Sequence, residues 1–424
     1  MRICIFEDAG CMNLEPLALT RPAFDLRCGA LTLLERQLRQ VGAVEVAAFV
    51  RPFLADFCRF LHPEMRVNDA TGLDHGPVVL VNARWLPDLG ESIPMDSPAV
   101  GMIDDEITCV VLPDGAVELS PESLLWRLEE CKQTLPHRET GGALMAYPWD
   151  LVEHNAEALR QDFVHRSIVP EAASLPAGVS LVGAADSVRI DPSAHIEPMV
   201  LIDASKGPVL IDRGAVVQAF SRLEGPCYVG PDSHILGAKL RGGSIGPNCR
   251  IGGEVEVSVV YGHANKAHDG FLGHSYVGEW VNLGAGTQVS DLRTDYGAVS
   301  FRIAGRTIDS GLMKVGAFLG DHAKTSINAQ LNTGTIVGPF GQLLTNGGLM
   351  PRLVPAFCRV GHGRLQERTD LRELFETASV VMGRRKQRWA EAHAEFFLAL
   401  YEQTEEERRQ MIREAEQRRL RRVV

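Results

Sequence analysis

Apolar residues recur along this chain with two different periods, and the change from one to the other divides it. Up to about residue 150, short apolar runs alternate with stretches of helical spacing. Arg2–Glu7, Val44–Val50, Val78–Asn82 and Ile107–Leu112 read as strands, and Leu31–Val41, Pro52–Leu61 and Pro121–Thr134 as helices. That alternation predicts an α/β layer with a mostly parallel sheet. Trp149–Val164 carries Leu151, Val152, Leu159 and Phe163 and reads as a connecting helix with one apolar face.

From about residue 188 the period becomes six. Aliphatic residues stand at Ile190, Ile196 and Ile202, then at Ile211, Val217, Leu223, Val229 and Ile235, then at Ile245, Ile251 and Val257. The phase returns at Val277, Leu283 and Val289, and again at Leu319, Thr325, Leu331 and Val337. Gly follows several of them, as in Val229-Gly230, Ile251-Gly252 and Leu283-Gly284. Such a repeat predicts a coil with three flat faces, each turning one aliphatic inward, with Gly or another small residue at the corners. Stacked coils satisfy each other's backbone groups and bury a column of Ile, Val and Leu. Ser258–Phe271 and Ser290–Met313 break the phase, so both are expected to project as loops.

The last part, from about residue 365 to 424, has neither Pro nor Gly between Arg384 and Arg422 and predicts a helical tail. Trp389, Phe396, Phe397, Leu400 and Tyr401 make a packing stripe near its start. Glu405–Glu407 with Arg408, Arg409 and Arg413 read as a solvated helix. The expected domains are therefore 1–165, 188–345 and 365–424.

Composition narrows the function classes. A net charge of −11 argues against a nucleic-acid-binding surface and gives no reason to expect an anionic membrane as partner. The nine cysteines form no CxxC pair, and Cys4 and Cys109 sit in apolar runs, which argues against a disulfide framework or a cysteine metal site. No apolar run reaches membrane-spanning length and the N-terminus lacks a signal-peptide pattern, so a cytoplasmic protein is expected.

The chemistry concentrates in ANKAHDGFLGHSYVGEWVNLGAGT, from Ala264 to Thr287, with LGDHAKTSINAQLNTGTIVG (Leu319–Gly338) continuing the coils. This stretch resembles the acetyltransferase domain of the GlmU-like family, bifunctional enzymes that make UDP-N-acetylglucosamine. The resemblance implies a left-handed parallel β-helix behind a truncated nucleotidyltransferase-like α/β domain. It also implies acetyl-CoA-dependent N-acetylation of an amino-sugar 1-phosphate by a homotrimer. By position it makes His268 the general base, since a neutral imidazole accepts the proton of the attacking amine. Lys266, Phe271 and Asn282 fall on the acceptor side, and Asp291, Ile327 and Lys324 on the acyl-CoA side. Phe271 replaces the family's Tyr, Asp291 an Asn and Ile327 a Ser. Arg293 and Lys314 are further cations available to CoA phosphates.

At the N-terminus, Pro16-Leu17 and Thr20-Arg21-Pro22 are similar to the family's Pro-Leu-Thr…Pro-Lys element, while Glu7-Asp8 stands where glycines would cradle a nucleoside triphosphate. Asn82 occupies the place of a metal-binding Asp. The resulting candidates for nucleotide binding are Glu7, Asp8, Arg21, Arg27 and Asn82, with Arg84 as a further phosphate ligand and Mg²⁺ on Glu7 or Asp8 if this domain is active. Two rival readings accompany the transferase. One is a non-catalytic solenoid scaffold with a degenerate sugar-nucleotide-binding domain. The other is a zinc site of carbonic-anhydrase type, built on His263 and His268 with His234, His274 or His322.

Overall fold

The computed structural model describes residues 2–421 except 43–44, 91–92, 95, 117–118, 166–174, 304 and 346. The chain forms two compact units. One comprises Met1–Leu14, Arg21–Arg27 and Leu31–Tyr147; the other comprises Glu15–Thr20, Cys28–Ala30 and Pro148–Val424.

The first unit is built on a seven-stranded sheet. Its order runs His137–Glu139, Ala99–Ile103, Glu106–Leu112, Val78–Asn82, Arg2–Phe6, Glu45–Phe49, Arg66–Val67. Arg2–Phe6 is parallel to both neighbours, whereas Glu106–Leu112 runs antiparallel to both of its own. Val78–Asn82 is buried at every position, as its unbroken apolar run requires of a strand covered on both faces. The second predicted strand is Glu45–Phe49, and Val44 lies outside the described residues. Helix Leu33–Val41 opens on a capping box. Thr32 Oγ1 accepts from the Glu35 backbone N–H at 3.1 Å while the Glu35 carboxylate accepts from Thr32 N–H at 2.8 Å. Gly42, at φ 64°, closes the helix in the left-handed region. All nine cysteines are free thiols, and burial pushes Cys4 up to about 12.

In the second unit, parallel strands stack in three ladders. One runs through Val188–Ile190, Val209–Ile211, Cys227–Val229, Ile245, Val260, Val277, Leu319, Val337 and Val354. A second runs through Ile196, Val217, Ile235, Ile251 and Lys266, crosses Asn282, and resumes at Thr325, Leu343 and Val360. The third runs through Ile202, Leu223, Leu240, Val255, Leu272, Val289 and Leu331. The inward aliphatics form one continuous core, from Val188 to Val360.

Two expectations are corrected. Val257 does not point inward: its backbone turns a corner at φ 42°, and Val255 takes the inward place on a shortened coil. Nor do residues 258–271 project, because Glu254–Val260, Asn265–Lys266 and Phe271–Gly273 all pair into the ladders. Only the second break makes a true insertion, an antiparallel hairpin of Ser300–Ile303 with Arg306–Asp309. Phe301 in it stacks on Trp149 at 4.7 Å.

Corners are not reserved for glycine. At one edge the turn residues Gly214, Asp232, Asn248, His263, Trp280, His322, Phe340 and Phe357 all lie at φ between 52° and 64°. Asp, Asn and His tolerate that region, but Trp and Phe are strained there. Ring stacking between successive turns offsets the strain: His263 on Trp280 at 4.2 Å, His322 on Phe340 at 4.6 Å, Phe340 on Phe357 at 5.3 Å.

The tail is three helices, Leu371–Gly383, Glu391–Gln403 and Glu405–Arg421, with residues 422–424 outside the described range. Phe397 packs edge-on against Phe340 and His322 of the corner column. The last helix is not solvated all round. Arg408 is fully buried, with Nε 3.0 Å from Glu367 and its guanidinium 3.9 Å from the Tyr401 ring centroid. Among the described residues, no helix is long and apolar enough to cross a membrane.

Candidate active site

The solenoid site grows from the ladder that carries Lys266. Asn265, Asn282 and Lys324 meet in bridges on consecutive coils, and Asn265 Nδ2 donates to Asn282 Oδ1 at 2.8 Å. The row continues with Arg250 on the coil before Asn265 and with Gln342 and Arg359 after Lys324, so at its centre it presents two amides and an amine between further polar groups. Lys266 is 4% exposed, and its Nζ donates to the carbonyls of Gly252 (2.7 Å) and His268 (3.1 Å). Burial pulls both ammonium groups down, Lys266 and Lys324 alike to about 8. For Lys266 the charges of Asp269 and Glu254 oppose that pull.

The depressed lysines make a prediction. Between about 8 and the ordinary value of 10.5, such a lysine is less protonated folded than unfolded, so unfolding takes up a proton and stability rises with pH. Urea titrations across that window should show the rise, and Lys266→Met should flatten it. An unchanged slope in the variant contradicts the assignment.

His268 is exposed, and its ring has no hydrogen-bond partner among the described residues. Phe271 is half-buried and its backbone N–H donates to Gln288 Oε1 at 2.9 Å. Ile327 is 63% exposed. Asp291 is buried and lies 2.7 Å from His274 Nδ1. That His274–Asp291 contact was absent from the sequence reading. The signal that finds it is spacing: the partners are 17 residues apart, as are Asn265 and Asn282, one coil of the solenoid.

The zinc triad is not assembled from the predicted histidines. His263 Nδ1 faces Glu279 at 2.9 Å and its ring stacks on Trp280, while His322 is locked between aromatic rings. Among the described residues, the group with ligand atoms close enough for a metal is Glu256, His274 and Asp291.

In the first unit, the candidates Glu7, Asp8 and Asn82 meet at the carboxyl ends of Arg2–Phe6 and Val78–Asn82. In an open α/β sheet, the crevice where neighbouring connections leave to opposite sides is the expected ligand site. Here that place is occupied by ion pairs. The Glu7 carboxylate takes Arg51 Nε at 3.0 Å, Nη2 at 3.1 Å and the Ala23 N–H at 2.9 Å. The Asp8 carboxylate takes Arg84 Nε at 2.7 Å and Nη2 at 2.6 Å, the Asn82 amide at 2.8 Å and the Gly10 N–H at 3.0 Å. Burial raises the Asp8 carboxyl, but the Arg84 contacts, with Asn82 and Gly10, hold it below the ordinary carboxylate value.

These pairs bear on three of the expected roles. Glu7 and Asp8 do not fit Mg²⁺, because their oxygens are already taken by arginines. Asn82 serves as a hydrogen-bond link between Asp8, Ile107 O and Arg84 N–H. Arg84 is fixed by Asp8, Glu106 and Met145 O and is not held ready for a phosphate. Arg21 and Arg27 are both buried, at 6% and 9% exposure. A cavity of about 280 Å³ opens elsewhere in this unit, against Trp85, Asp88, Gly101, Arg138 and Thr140, and none of the five candidates lines it.

Residues 3–167 match the family model of the sugar nucleotidyl transferases. A bifunctional sugar-1-phosphate nucleotidylyltransferase/acetyltransferase of Sulfurisphaera tokodaii is 38% identical over 96 residues, 22% of this chain and 24% of that one. The bifunctional protein GlmU of Jannaschia sp. is 35% identical over 167 residues, 35% of each chain. The GlmU of Nitratidesulfovibrio vulgaris is 28% identical over 222 residues, 46% of this chain and 45% of the other. The chain thus spans less than half the length of these curated relatives. A solved perosamine N-acetyltransferase variant of Caulobacter crescentus aligns at 15% identity over 74% of this chain and 92% of the other, but at a TM-score of 0.17 the likeness carries no weight. Residues 3–167 are thus similar to sugar nucleotidyl transferases, and a parallel-stranded second unit follows them in the chain. Over part of its length the chain is similar to bifunctional GlmU proteins, at modest identity.

Proposed function

We propose that the second unit, wound as a left-handed parallel β-helix, transfers the acetyl group of acetyl-CoA to the amine of an amino-sugar 1-phosphate. What supports this reading most is the row of Asn265, Asn282 and Lys324 with the buried Lys266 beside it. Amides that donate and accept suit sugar hydroxyls, and a half-desolvated ammonium suits a phosphate. Lys266, Phe271 and Asn282 face the acceptor in this reading, and Asp291, Lys324 and Ile327 the acyl-CoA. A histidine of the same stretch takes the amine's proton, His268 in the resembling family. The active assembly is a homotrimer with the acyl site between copies, which a monomer mass in light scattering would contradict.

For the first unit the reading is sugar-1-phosphate nucleotidyl transfer, the activity its relatives are named for. With Glu7 and Asp8 held by Arg51 and Arg84, this activity is expected to be much the weaker of the two. The experiment compares two rates on one preparation. Release of the CoA thiol is followed with a panel of amino-sugar phosphates, and pyrophosphate release with UTP or dTTP, sugar 1-phosphates and Mg²⁺. Thiol release that depends on the amine, and exceeds pyrophosphate release, supports the reading. Pyrophosphate release without acetyl transfer contradicts it.

A further inference from the structure

On one flank of the solenoid, Glu256, His274 and Asp291 each place a ligand-type atom within 4.8 Å of the others. His274 Nδ1 and Asp291 Oδ2 are 2.7 Å apart, with side chains 12% and 10% exposed. A carboxylate only accepts, so Nδ1 carries the proton and donates it, and this tautomer leaves the lone pair on Nε2. Among the described residues, Nε2 has no hydrogen-bond partner.

The backbone that carries the imidazole is held on both sides. The His274 backbone sits at φ 43°, its N–H donates to Glu256 O at 2.9 Å, and its carbonyl accepts from Gly316 N–H at 2.8 Å. A Cβ on the preceding Gly273 would lie 2.4 Å from Asp291 Oδ2 and 2.6 Å from Phe271 Cζ. Only glycine lets ring, carboxylate and backbone meet there. Gly273, the residue before His274, thus stands beside both Phe271, on the acceptor side of the proposed reaction, and Asp291, on its donor side and in contact with His274. His268 is exposed, and among the described residues nothing comparable orients its ring.

A metal is the other use of such a cluster, and the surrounding charges oppose it. Glu256 Oε1 already faces Lys314 Nζ at 3.2 Å, and Oε2 faces Arg241 Nη1 at 3.4 Å. A divalent ion would have to sit beside both cations.

We propose that His274 Nε2 is the proton acceptor of the transfer reaction, with Asp291 as its positioning residue. The proposal rests on the acetyl-transfer reading and moves its base from His268 to His274. The amine nitrogen attacks the thioester carbonyl carbon, forming the C–N bond, and its proton passes to His274 Nε2. The tetrahedral oxyanion then collapses, the C–S bond breaks, and the leaving CoA thiolate takes that proton to become the thiol. Asp291 remains ionised throughout and keeps Nδ1 protonated.

The test measures amine-dependent thiol release by the full chain and its variants. His274→Gln should lower kcat by about 10²–10⁴-fold with both KM values unchanged, as loss of a base does. The loss should exceed that of His268→Ala, and added imidazole should restore part of the rate to His274→Ala. Asp291→Asn keeps the side-chain shape and should lower kcat without lowering the melting temperature. A larger loss in His268→Ala than in His274→Gln overturns the assignment while leaving acetyl transfer standing. Activity abolished by a chelator and restored by zinc also overturns it. No thiol release by the parent with any amine removes the acetyl-transfer reading itself.

Discussion

Arg84→Ala should destabilise the first unit by about 3–5 kcal/mol, the usual cost of stripping one partner from a buried ion pair. Arg84 is 3% exposed and holds Asp8 through Nε and Nη2, with Glu106 also on Nη2 and Met145 O on Nη1. Its loss leaves Asp8 partly buried, linked to Asn82, Gly10 and the Cys11 thiol. The double variant Asp8→Asn with Arg84→Met removes both charges and should recover much of the loss. Chemical denaturation followed in the full chain measures both. If Arg84→Ala costs less than about 1 kcal/mol, as an exposed pair would, the carboxylate at the sheet end is not a structural anchor, and Mg²⁺ binding there regains its standing.

Leu272→Ala should cost about 2–5 kcal/mol in the second unit, the range for emptying a buried Leu site. Leu272 is fully buried on Phe271–Gly273 and pairs in register with Val255 on one coil and Val289 on the next. The cavity would lie under the segment that carries Phe271 and His274, so acetyl transfer should fall together with stability. Leu331→Ala, on the same ladder two coils on from Leu272, should cost a similar amount while sparing more of the activity. Equal activity losses in the two variants would contradict the placement of the site.

How much could be read in advance follows from what the fold demands of single residues. Each coil must turn an aliphatic inward, so the six-residue phase appears in the sequence wherever the coil is regular, and it fails at Val257 where the coil shortens. The corner column carries no single signature, because Asp232, Asn248, His263 and His322 tolerate the turn by type whereas at Trp280, Phe340 and Phe357 stacking between coils offsets the strain. Of the polar row, Asn282 and Lys324 come with the resemblance, while Asn265 joins them only through the coil stacking. The His274–Asp291 pair required the coil length, since only stacking brings residues 17 apart into contact. Glu7–Arg51 and Asp8–Arg84 join positions 44 and 76 apart across a sheet, and no local pattern announces them. That is why two carboxylates that look like metal ligands in the sequence prove to be ion-paired.

The central claim is acetyl transfer by the solenoid, and product analysis tests it most directly. Purified full-length protein is incubated with glucosamine 1-phosphate, acetyl-CoA, UTP and Mg²⁺, and every product is identified by mass spectrometry. The account predicts N-acetylated sugar 1-phosphate and free CoA in equal amounts, with at most a minor share of UDP-linked sugar. Sugar phosphate and acetyl-CoA recovered unchanged after long incubation, or an acetyl group lost to water with no acetylated sugar, would contradict it.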